Sequence, residues 1–91
     1  MTAYRLLTTT GYWYDLIESG KKKFDFRKGI REINVDDVVT FMEADSKKTL
    51  TGRTCTFRVT LVVYSTDFPL HFNWDGGEFT IIQFSDMEEE Q

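Results

Sequence analysis

The sequence predicts a mostly β, α+β fold: a small, largely antiparallel barrel of about five strands with one N-terminal amphipathic helix as its plug. Three observations predict it. A chain of 91 residues has room for one small core, because domains of this size bury only about 60–65% of the surface their unfolded chains expose. Five segments read as short strands, two of them (23–27 and 53–64) alternating at period 2, and a single short one repeats at helical spacing, with no β-α-β alternation and no repeat. The 41% hydrophobic and 15% aromatic content belongs to a folded globular chain. One domain is expected over residues 1–86, with residues 87–91 as a frayed acidic tail.

Residues 4–7 read as the first strand. Thr8, Thr9 and Thr10, just before Gly11, offer hydroxyl caps to a helix over about residues 11–19. Trp13, Leu16 and Ile17 fall at i, i+3 and i+4 on its apolar stripe, Asp15 and Glu18 face water, and Gly20 is the left-handed stop. Lys23 to Arg27 then alternates, so Phe24 and Phe26 are expected in the core and the charged residues outside. A polar connection anchored by Ile33 and Val35, with a turn over Asn34-Val35-Asp36-Asp37, leads to a strand at 38–43. The exposed loop 44–50 precedes the longest strand, 53–64, whose core face should carry Cys55, Phe57, Val59, Leu61 and Val63. Residues 65–77 form a loop with aromatic pegs Phe68, Phe72 and Trp74 around Pro69 and ending at Gly76-Gly77. The last strand is 79–84.

The charge is unevenly placed. Six of the 11 Lys and Arg residues fall within residues 21–31 beside one acid, Asp25, giving that segment +5 and leaving −9 on the rest of a chain whose net charge is −4. Several chemistries are disfavoured by count. Cys55 is the single cysteine and His71 the single histidine, so there is no internal disulfide and no cluster with metal-ligand spacing. Neither a metal nor a cofactor is expected. Cys55 occupies an apolar strand position and reads as core. The N-terminus lacks the apolar run of a signal peptide and no stretch reaches the roughly 18–20 apolar residues that cross a bilayer, so a cytoplasmic protein with no membrane partner is expected.

Two readings of the basic segment stay open on its residues alone. Lys22, Asp25 and Arg27 are either a solvated ion-pair set or a site where Arg27 offers a fork, Lys22 a point charge, and Asp25 orients the guanidinium. Strict alternation puts Lys23, Asp25 and Arg27 on one face and Lys22 on the other, so Lys22 joins them if the strand begins after it. Lys23, Lys28 and Arg53 extend the candidate basic surface. Tyr12, Trp13 and Trp74 are candidate stacking platforms, with core filling the alternative for Trp13.

Gly20, Lys22, Asp25 and Arg27, spaced as Gly-x-Lys-x-x-Asp-x-Arg, resemble the Gly-x-Lys-x-x-Glu-x-Arg signature of the ASCH domain, a PUA-like β-barrel. Asp stands for Glu. The stretch from Tyr12 to Lys28, then Ile33-Asn34-Val35-Asp36-Asp37-Val38 and Thr51-Gly52-Arg53, looks like a small branch of that superfamily common in phages and prophages. The resemblance implies a cleft between helix and barrel, lined by the motif residues, that binds RNA or a nucleotide. Some small ASCH proteins deacetylate N4-acetylcytidine with a Lys, a Thr nucleophile and a Glu; here Lys22 matches the Lys and Asp25 occupies the Thr position. A carboxylate is a poor substitute for an activated hydroxyl in acyl transfer. The expected function is therefore binding. The alternatives are an amidohydrolase using Lys22 and Asp25, and a phage-encoded module whose acidic surface engages a host protein in the host cytoplasm.

Overall fold

Five strands and one helix form a single curved sheet in the computed structural model, which describes residues 2–68 and 76–87. Pro69, His71, Phe72, Trp74 and the tail residues 88–91 lie outside the described residues. The elements run β1 (Tyr4–Thr10), α1 (Gly11–Glu18), β2 (Phe24–Lys28), β3 (Val38–Ala44), β4 (Leu50–Tyr64) and β5 (Phe79–Asp86). The sheet order is β1-β3-β4-β5-β2. The helix follows β1, in the order the sequence predicts, and is thus not itself N-terminal. The sheet is a half-barrel, with β1 and β2 at its two edges.

Four pairings define the register. β1 and β3 are parallel and the other three pairs antiparallel. A parallel pair needs a long crossover, supplied here by residues 11–37, which carry α1 and β2. One crossover of β-α-β type is therefore present where none was expected. The inner face buries Leu7, Val39, Phe41, Phe57, Val59, Ile82 and Phe84 together with Ile17 of α1 and Ile33 of the β2–β3 connection. Phe41, Phe57 and Phe84 pack as a triangle with ring centroids 4.8–6.1 Å apart.

Three faces differ from the sequence reading. In β4 the register shifts between Val59 and Leu61, opposite β5. A bulge of this kind reverses which side chains face the core, so Val62 packs against the core cluster while Leu61 is exposed. In α1 the buried pair is Tyr14 and Ile17, with Trp13 46% exposed. The largest difference is in β2, where Asp25 is buried while Phe24 and Phe26 are 52% and 42% exposed. Asp25 lies opposite Ile82 and Arg27 opposite Thr80, both on the inner face; Phe26 lies opposite Ile81 and stacks on Phe79 at 5.2 Å on the other side. Alternation separates two faces without saying which is inside.

Candidate functional site

The end of α1 sets the first part of the site. Gly20 takes the left-handed conformation (φ 82°), and the Lys22 N–H donates to the Leu16 carbonyl at 3.0 Å. This turn fastens Lys22 to the helix end just ahead of β2. Because β2 begins at Phe24, Lys22 escapes the strand alternation and its ammonium comes within 3.5 Å of Asp25 Oδ1. The Arg27 Nε donates to Asp25 Oδ2. The two cations hold one buried carboxylate between them, and that pairing is what allows an acid to face inward at this point.

These residues line a cleft of about 510 Å3 together with Thr9 and Thr10 of β1, Trp13 of α1, and Phe24 and Phe26. It occupies the interval between the two sheet edges, with α1 at one end. The Lys22 ammonium lies 4.7 Å from the Trp13 ring centre and 5.3 Å from that of Phe24, a geometry favourable to a cation. Arg27 spends its Nε on Asp25, which leaves its terminal nitrogens for a ligand. One acid against two cations gives the cleft a charge of +1.

The other candidate residues lie elsewhere. Lys23 and Lys28 are exposed on β2 and its approach without lining the cleft, and Tyr12 is exposed on α1 with its ring edge against Trp13 at 4.9 Å. Arg53 belongs to a separate cluster. Its guanidinium bonds Glu43 (3.2 Å), Asp15 (2.9 Å) and Glu18 (3.0 Å) and lies over the Tyr14 ring at 4.6 Å. The bonds to Asp15 and Glu18, foremost, raise its pKa above the ordinary arginine value. Glu43 also accepts from the Thr51 hydroxyl at 2.7 Å, and its Oε2 lies 3.0 Å from where a Cβ on Gly11 would sit. This cluster ties α1 to β3 and β4.

Burial, helped by the Glu18 carboxylate and Cys55, pushes the Tyr14 phenol well above its usual range. Burial likewise pushes the Cys55 thiol up, against the lowering effect of its Tyr14 hydrogen bond, so Cys55 is not a ready thiolate. Asp37 is a further buried acid. Burial alone would raise its pKa, but the amides of Asn34 (2.8 Å) and Ala3 (3.2 Å), with Arg5, outweigh that and hold it below the ordinary value. Among the described residues no group of three or more acidic, His or Cys side chains could hold a metal. No described helix is long and apolar enough to cross a membrane.

Sequence reasoning missed Thr9, Thr10, Phe24 and Phe26 as lining residues. The threonines read as helix caps, yet Thr10 at the N-cap makes no side-chain cap bond, and Thr9 falls on the inner face with Leu7. The signal that could have found Thr9 is the odd-numbered pattern Arg5, Leu7, Thr9 along β1. No curated protein matches the chain. Residues 6–75 match the model of a family described as a domain of unknown function (DUF3850), a match that covers more than half of the chain, and the chain belongs to that family.

Proposed function

We propose that this chain is an RNA- or nucleotide-binding module of the ASCH, PUA-like type, with the cleft between α1 and β2 as its site. The observation that carries the reading is the pairing of Lys22 and Arg27 on one buried carboxylate inside a cleft walled by Trp13, Phe24 and Phe26. Asp25 fixes both cations in place before a ligand arrives, which lowers the ordering cost of binding. The surplus positive charge suits a phosphate, and the exposed rings suit a base. Lys21, Lys23, Lys28 and Arg31 around the segment add attraction for a polyanion, while the acidic remainder confines it to this side.

Fluorescence anisotropy with a short labelled single-stranded RNA tests the reading. Binding should weaken steeply with added salt, and Arg27→Lys, which keeps the charge and removes the fork, should weaken it roughly tenfold. Absence of binding at low salt overturns it.

One observation favours a second reading, an amidohydrolase of acylated nucleosides such as N4-acetylcytidine. Thr9 and Thr10 bring hydroxyls into the same cleft as Lys22 and Asp25. In that reaction a threonine oxygen would attack the acetyl carbonyl, cytidine would leave with a proton, and water would release acetate from the acyl-threonine. Acetate release from N4-acetylcytidine that is abolished in Thr9→Ala/Thr10→Ala would establish it; unchanged substrate at high protein concentration eliminates it.

A further inference from the structure

A second recess, of about 400 Å3, is bounded by Tyr4 to Leu7 of β1 and by Arg31, Glu32 and Ile33 of the β2–β3 connection. The first cleft takes Thr9 and Thr10 from the same strand and Lys22 to Arg27 from the segment leading into that connection. The two recesses therefore follow one another along β1, with residues of the 22–33 segment opposite it in reverse order, and together they make one candidate furrow. From Arg5 to Thr9 the strand rises about 13 Å at about 3.3 Å per residue, the reach of about four nucleotides stacked at about 3.4 Å.

The two stretches differ in charge. The first carries two cations to one acid. In the second, Arg5 is matched by Asp37 (Nε to Oδ2 3.5 Å) and Arg31 is accompanied by Glu32, so the recess is electrically balanced. What it offers instead is apolar surface. Tyr4 is 78% exposed and Leu6 is exposed near it. With Trp13, Phe24 and Phe26 at the first cleft, five large exposed apolar side chains line this furrow, a pattern that marks a binding surface.

Resting on the reading above, we propose that the furrow binds a single strand of RNA about three to four nucleotides long, with a phosphate at Lys22 and Arg27 and a base stacked on Tyr4 at the far end. A polyanion that carries a π face on every unit meets both stretches. An acidic peptide meets only the first.

Titration with uridine monophosphate, a diuridylate, a tetrauridylate and a hexauridylate tests this. The tetranucleotide should bind roughly tenfold more tightly than the mononucleotide, the order of gain that one stacked base supplies, with little added by the hexanucleotide. Tyr4→Ala should erase the gain and Tyr4→Trp should keep it. Tyr4 is exposed on an edge strand, and a thermal melt of each variant verifies that it folds. Equal affinity for the mono- and tetranucleotide overturns the furrow while leaving the first cleft as a mononucleotide site. A length gain that survives Tyr4→Ala also overturns the role of the second recess. No binding at any length overturns both readings.

Discussion

Two charge clusters on this molecule use the same residue types in opposite proportion. In the cleft, Lys22 and Arg27 share Asp25; at the base of α1, Arg53 alone is shared by Asp15, Glu18 and Glu43. The first arrangement leaves cationic donors over and places them beside a cavity. The second uses both terminal nitrogens of its one guanidinium and fills the space with the Tyr14 ring and the Thr51 hydroxyl. Surplus donor capacity next to open volume is what distinguishes a ligand site from a tie between elements. A count of basic residues along the chain does not make that distinction: it places Arg53 with the basic surface, while in the structure the Arg53 guanidinium is engaged by three carboxylates.

The contrast can be broken most directly at Asp25. Asp25→Ala removes the shared partner of two half-buried cations and should destabilise the fold by about 3 kcal/mol, read by urea denaturation. Replacing the set together, as Lys22→Met/Asp25→Leu/Arg27→Met, should recover most of that stability, because an ion triad exchanged for apolar side chains of similar volume is often neutral, and should abolish RNA binding. If the triple variant still binds RNA, the cleft is not the site. A smaller effect is expected at the clamp, where Glu43→Ala deprives Thr51 and Arg53 of an acceptor and should cost about 2 kcal/mol. Its RNA affinity should match the unsubstituted chain's, and a parallel loss of affinity would show that the two clusters are coupled.

The smallest effect is a pH slope at Asp37, which resembles the clamp in having both carboxylate oxygens engaged. Its folded pKa is depressed, so its stabilisation is complete above the unfolded carboxylate value of about 3.9 and is lost as pH falls through the lower folded value. Stability measured below about pH 4 should therefore fall less steeply in Asp37→Asn than in the unsubstituted chain.

Much of the fold was legible in the sequence. The five strands and the helix stand near their expected places, Gly20 ends the helix, and the turn before β3 closes with the Asp37 N–H on the Asn34 carbonyl at 3.0 Å. The faces were less legible. Phe24 and Phe26 looked like core because apolar side chains usually are, but Phe26 finds Phe79 on the outer side and Asp25 finds two cations on the inner one. Counting in twos from Val59 puts Leu61 and Val63 in the core, but a one-residue bulge moves the core face to Val62. Helical spacing puts Trp13 on the apolar stripe, but Tyr14 is the buried residue, its hydroxyl donating to Glu18 at 3.0 Å and its ring under the Arg53 guanidinium.

For the candidate site, the sequence alone determined one group of residues: Lys22, Asp25 and Arg27 fall within six residues of each other, and a glycine-stopped helix followed by a strand is enough to bring them close. Those are local relations, set by turn chemistry and strand rise. Tertiary structure decided that the acid points inward, that Thr9, Thr10 and Trp13 form the facing wall, and that Arg53 is absorbed by a different cluster. These depend on which strands become edges, on where the β4 register slips, and on which buried charge finds a partner, and such long-range choices are made by the whole sheet at once.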